Sequence, residues 1–150
     1  CSSNSCGLDP DLDKIKSRLS SIQHVILVLS GKGGVGKSTV ATQLAYTLVN
    51  NCRKEVGLLD LDICGPSVPR MTKSLGKPVS SSETGWKPVI SEGLQVMSVG
   101  LLLQSEDDAV IWRGPRKNSI IKQLLVEVEW KNLNYLIIDM PPGTSDEHIS

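Results

Sequence analysis

Phenylalanine is absent from this chain, and aromatic residues of any kind make up only 3% of its 150 residues. With 39% hydrophobic residues, the composition fits a globular α/β chain whose core is aliphatic. Net charge is missing too. Sixteen basic and sixteen acidic residues cancel, which excludes a broad electrostatic footprint for nucleic acid. No apolar run approaches the roughly 20 residues that span a bilayer, and no secretory-signal pattern is visible. Neither nucleic acid nor a membrane is therefore an expected partner. Cysteines number only four, Cys1, Cys6, Cys52 and Cys64. Their spacing does not form a disulfide framework, and in a reducing interior such thiols more often serve metals or catalysis. The first residue is Cys1 rather than Met, so a truncated or processed start is expected. The length suffices for one domain with a real core.

What is present is a glycine-rich stretch, Ser30-Gly31-Lys32-Gly33-Gly34-Val35-Gly36-Lys37-Ser38-Thr39. It contains G-x-x-x-x-G-K-[ST] as Gly31, Gly36, Lys37 and Ser38. An apolar run, Val25 to Leu29, leads in, and an amphipathic helical pattern from Val40 to Val49 leads out. Strand, loop and helix in that order are the setting a phosphate loop requires. Glycines let backbone N–H groups turn toward an anion, and the helix N-terminus adds partial positive charge. Lys37 is the residue type that neutralises outer phosphates, and the Ser38 hydroxyl is the one that reaches Mg²⁺.

The rest of the chain supplies a frame for that loop. Asp9-Pro10 has the form of a helix start, with Leu12, Ile15, Leu19 and Ile22 at helical spacing. Val25–Leu29 has the continuous apolar character of a strand buried on both faces. Val56 to Leu61 is a second strand, followed by a Gly65-Pro66 turn and a short helix to about Leu75. From Lys77 to Leu94 the pattern is an irregular excursion or a small hairpin. Leu94 to Leu102 is a third strand candidate, with a polar loop over Gln104 to Asp108. A helix opens over Val110–Pro115 and carries Ile120, Ile121, Leu124, Leu125 and Val128 on one face. Tyr135 to Asp139 is the last strand, and Thr144 and Glu147 have capping-box spacing for a further helix. Strands alternating with helices predict a parallel sheet with right-handed crossovers, ligands binding at the strands' carboxyl ends.

Three strand ends bring the chemistry together. The first is the phosphate loop. The second carries Asp60 and Asp62, of which Asp62 is the first candidate, and Asp60 the second, for orienting and deprotonating an in-line water. The third carries Asp139, an acid suited to holding Mg²⁺ through water. Gly143, in the Pro141-Pro142-Gly143 turn, offers a free N–H for a γ-phosphate. Lys32 is the informative extra: reaching its own nucleotide from there is awkward. It is placed instead to reach phosphates held by a second subunit, which predicts an ATP-bridged dimer.

Gly31 to Thr39 resembles the deviant phosphate loop of the MinD, Mrp and nitrogenase-iron-protein class. Asp60-Leu61-Asp62-Ile63-Cys64-Gly65-Pro66-Ser67, Val110 to Pro115, Ile120-Ile121-Lys122-Gln123 and Asp139 to His148 continue the likeness. Together, over residues 9 to 150, they resemble the NUBP/Mrp family of deviant P-loop ATPases. The fold this implies is α/β: a parallel sheet with flanking helices, here in its amino-terminal half. The resemblance implies cytosolic ATPases that scaffold [4Fe–4S] clusters for delivery to cytosolic and nuclear apoproteins. ATP and Mg²⁺ would be cofactors, in a homodimer or a heterotetramer with a related scaffold ATPase. By position, Lys32 resembles the signature lysine acting across the dimer, and Lys37 and Ser38 the phosphate and Mg²⁺ ligands. Asp62 and Asp139 resemble the two switch aspartates, and Gly31, Gly33, Gly34, Val35, Gly36, Thr39, Asp60 and Gly143 line the nucleotide. Met140 departs from the Thr or Ala usual in the family.

One branch of the family carries a cysteine cluster before the ATPase domain, and residues 1–8, with Cys1 and Cys6, resemble its tail as iron–sulfur ligands. Two thiolates alone cannot complete a four-cysteine site. The family's C-x-x-C pair and its adenine contacts lie beyond residue 150, so the chain is expected to be about the first half of such a protein. Two alternatives stay open. One is a partitioning or positioning ATPase of the MinD/ParA type, and the other is a fragment without activity.

Overall fold

The computed structural model describes residues 10–62, 67–105 and 114–143. Cys1, Cys6, Asp9, Cys64, the Gly65-Pro66 turn, the helix opening at Val110 and the Thr144/Glu147 pair lie outside the described residues.

Helix α1 (Pro10–Ser20) begins at the proline, with Asp11 and Asp13 in its first turn and Arg18 in its last. That charge order suits the helix dipole. The main sheet has five strands in the order β1-β7-β2-β6-β5. These are β1 (His24–Val28), β7 (Tyr135–Asp139), β2 (Val56–Asp60), β6 (Leu94–Ser98) and β5 (Val89–Ser91). The first four run parallel, whereas β5 pairs antiparallel with β6. The excursion after Lys77 contains a two-stranded hairpin, β3 (Ser80–Ser82) and β4 (Gly85–Lys87), before β5.

Alternation along the strands feeds two aliphatic cores. On one face, Leu59, Met97, Leu136 and Ile138 pack with Ile22 after α1 and with Ile120 and Leu124 of α5 (Gly114–Glu127). On the other, Val56, Leu58, Val96 and Ile137 pack with Ala41 and Ala45 of α2 (Lys37–Asn50) and Val68 of α3 (Ser67–Met71). The small alanines let α2 lie close to the sheet. The P-loop fold class, a mostly parallel sheet with flanking helices, is thus the one the element order predicts.

Two expectations need correction. β1 is not buried on both faces: Val25 is 38% exposed and Leu27 55%. Among the described residues it pairs only with β7, so it is an edge strand, and its apolar run is uncovered on one side. The third strand stops at Ser98. Val99–Ser105 is helix α4 rather than strand and polar loop. The Ser98 hydroxyl accepts the Gly100 N–H at 3.0 Å, a local bond that favours turning into a helix there.

Among the described residues no helix is long and apolar enough to cross a membrane.

Candidate nucleotide site

The parallel register fixes the floor of the site. Val28, Asp139, Asp60 and Ser98 are successive partners across β1, β7, β2 and β6. Residues two positions before three of them, Ile137, Leu58 and Val96, face α2. Alternation therefore aims Asp139, Asp60 and Ser98 at the same side, in a row at the carboxyl ends of the strands. The Leu61 N–H donates to the Asp139 carbonyl at 3.0 Å, keeping the ends of β2 and β7 level.

Above this row sits the loop. Gly34 and Gly36 have φ of 73° and 89°, left-handed conformations that glycine adopts without steric cost. Gly36 is the N-cap of α2, and no side chain caps the helix, the arrangement in which first-turn N–H groups take an anion. Ser30 braces the loop, its hydroxyl donating to the Lys32 carbonyl at 3.0 Å.

Lys37 and Ser38 reach down to Asp139. The Lys37 ammonium donates to Asp139 Oδ1, and the Ser38 hydroxyl donates to Oδ2 at 2.6 Å. Asp139 is fully buried, so both its oxygens are satisfied, one by a cation. Lys37 Nζ also lies 3.8 Å from Asp62 Oδ2. Lys37, Ser38 and Asp62 border a cavity of about 310 Å³, whose lining also includes Lys32, Thr39 and Pro142, while Asp139 lies beneath it. Gly33, Gly34 and Gly36 line it as well. Lys32 is exposed. Thr39 is held by a 3.8 Å contact of its hydroxyl with Met71 Sδ of α3. Val35 is 53% exposed, and neither it nor Gly31 borders the cavity.

Asp60 differs from Asp139 in its partners rather than in its burial. It is 1% exposed and does not line the cavity. Its Oδ2 accepts the Ser98 hydroxyl at 2.7 Å, and its Oδ1 accepts the Asp62 N–H at 3.0 Å. Burial pushes its carboxyl from 3.8 up to about 7; the two hydrogen bonds hold it down, and the charges of Asp139 and Asp62 raise it further.

The Gly143 N–H is not free, contrary to expectation. It donates to the Ser30 carbonyl at 3.0 Å. The Pro141-Pro142-Gly143 turn folds back onto the start of the loop, after Met140 N–H has bonded Val28, and φ of 107° at Gly143 makes that turn possible.

The residue that sequence reasoning missed is Ser98. The only signal was a polar residue closing the apolar strand Leu94–Ser98, at the end where parallel sheets bind ligands. For iron, the described residues offer no arrangement: no group of three or more His, Cys, Asp and Glu side chains among them is placed to hold a metal ion, and Cys52 is an exposed free thiol.

Residues 21–150 match the family model described as ParA, NUBPL iron-transfer P-loop NTPase. Among solved structures, the chain is similar to a nucleotide-binding protein from Archaeoglobus fulgidus in complex with ADP. The two are 40% identical with a TM-score of 0.72, over 90% of this chain and 51% of that one. It is also similar in fold to the Pyrococcus furiosus cell division ATPase MinD, at 19% identity and a TM-score of 0.56, over 85% of this chain and 54% of the other. The chain thus spans about half the length of these solved relatives. With the loop, its lysine and the facing aspartate in register, and with most of its length matched, this chain belongs to the ParA-type family of NUBPL iron-transfer P-loop NTPases.

Proposed function

We propose that the protein is an ATP-hydrolysing scaffold that assembles [4Fe–4S] clusters and transfers them to apoproteins. The observation that carries this reading is the convergence of Lys37 and Ser38, which line a phosphate-loop cavity, on the buried Asp139. The family's iron-transfer description supplies the cargo, and the ADP complex of the Archaeoglobus relative supports the nucleotide.

The donor set suits Mg²⁺. Ser38 Oγ and Asp139 Oδ2 are hard oxygen ligands 2.6 Å apart, and Mg²⁺ binds through such oxygens together with substrate phosphates. When bound there, the ion neutralises phosphate charge. Lys37, between Asp139 and the loop, takes the outer phosphate oxygens. Asp62, on the cavity wall, orients the attacking water and accepts its proton. Lys32, exposed on the rim, reaches the phosphates of a second subunit, so ATP clamps a homodimer or a heterotetramer with a related ATPase. Cluster cargo is held by cysteines outside the described residues, Cys1 and Cys6 among them. The partitioning-ATPase reading uses the same loop, but its structural likeness is one of fold alone, and the family description favours transfer. The setting this implies is cytoplasmic.

Lys37→Ala in the full-length protein tests the reading. Transfer of a reconstituted [4Fe–4S] cluster to an apoprotein is expected to lose its ATP dependence. Unchanged ATP-dependent loading would overturn it.

A further inference from the structure

We propose that Ser98, on a strand that contributes nothing to the phosphate loop, is a positioning residue for hydrolysis, acting through Asp60 on Asp62. This rests on the ATPase reading above.

The chain of contacts is continuous. Gly100 N–H donates to Ser98 Oγ at 3.0 Å. Ser98 Oγ donates to Asp60 Oδ2 at 2.7 Å. Asp60 Oδ1 accepts the Asp62 N–H at 3.0 Å. That last bond, from a side chain to the backbone two residues on, is the bond of an Asx-turn. It coincides with the end of β2 at Asp60 and places Asp62 on the cavity wall, with its Oδ2 3.8 Å from Lys37 Nζ. A carboxylate turns freely about its last bond. Which way Asp60 faces decides whether Oδ1 is aimed at Asp62, and the hydroxyl of Ser98 pins the opposite oxygen.

Asp60 does not itself line the cavity, and none of its hydrogen-bond partners is a cation. A buried acid so placed is costly to keep unless its bonds are needed. Here one bond holds the backbone of Asp62 and the other fixes the carboxylate that makes it. Ser98 is fully buried and makes no contact with the cavity, so its influence on the reaction runs through Asp60. Positioning errors of this kind act on the reacting geometry more than on ground-state binding.

The test is steady-state ATP hydrolysis by the full-length protein, with nucleotide affinity measured separately using a fluorescent ATP analogue. Ser98→Ala is expected to lower kcat about ten-fold while KM and analogue affinity stay within about two-fold. Ser98→Thr, which keeps the hydroxyl, is expected to restore most of the rate. Asp60→Asn combined with Ser98→Ala is expected to be no slower than the worse single variant, because the two act in series. An unchanged kcat in Ser98→Ala, or equal losses of rate and affinity, would overturn the proposal. Should Ser98→Ala not fold, Ser98→Cys, similar in size with a weaker donor, is read by the same two outcomes. If the wild type neither binds nor hydrolyses ATP, it is the ATPase reading that fails.

Discussion

Asp139 and Asp60 close neighbouring parallel strands, are register partners, and are both almost wholly buried. Their surroundings nevertheless give them different jobs. Asp139 meets the first turn of α2, which brings an ammonium and a hydroxyl to its two oxygens. Asp60 lies one strand further over, where its partners are a hydroxyl and a backbone N–H. One carboxylate is compensated by charge and is bonded to two residues, Lys37 and Ser38, that line the cavity. The other is held only by neutral donors and is pushed up to about 7. A displacement of one strand spacing, about 4.8 Å, is enough to separate an acid paired with the cation of the loop from one held by neutral donors.

Replacing each by its isosteric amide breaks the comparison most sharply. Asp139→Asn leaves the buried Lys37 ammonium with only the more distant Asp62 carboxylate at 3.8 Å and is expected to cost about 3 kcal/mol in urea unfolding. Asp60→Asn keeps an acceptor for Asp62 N–H and removes no ion pair, so at pH 4, where burial keeps the folded acid protonated, its cost is expected to stay near 1 kcal/mol. Equal costs would show that the two sites do not differ as described.

The pH dependence sharpens the same contrast. The folded-state value of Asp60 is raised, so its contribution to stability is fully present below pH 3.8 and is lost as pH rises through about 7. The change is up to about 4 kcal/mol. Stability of the wild type relative to Asp60→Asn, followed by urea unfolding from pH 4 to pH 8, is expected to fall over that window. A flat difference would mean that Asp60 is not held protonated by burial.

How far the sequence disclosed this follows the same division. The loop, Lys37, Ser38 and Asp139 were legible because their chemistry dictates residue types at fixed spacing next to a strand. The mostly parallel character of the sheet followed from alternation of strands and helices, whereas the strand order and the antiparallel β5 did not. Asp60 was legible as an acid near the site but not as a buried one, because its burial comes from the place of β2 between β7 and β6, and its partner Ser98 is distant in sequence and paired only through the register. Gly143 was read as a free donor because sequence does not reveal that a turn closes onto Ser30. The exposed side of β1 was hidden for a related reason: Val25-Ile26-Leu27 reads as buried whether or not anything covers it. The helical start at Val99 was masked by an apolar run, Val99-Gly100-Leu101-Leu102, whose periodicity does not separate strand from helix over so short a stretch.

The central claim is that Lys37 and Asp139 form one nucleotide site. Equilibrium binding of a fluorescent ATP analogue, with and without Mg²⁺, to the wild type and to Lys37→Ala tests it most directly. Binding strengthened by Mg²⁺ and weakened about 100-fold by the substitution, as expected for loss of a charge-assisted phosphate contact, is the predicted result. Equal affinity in the two proteins would contradict it.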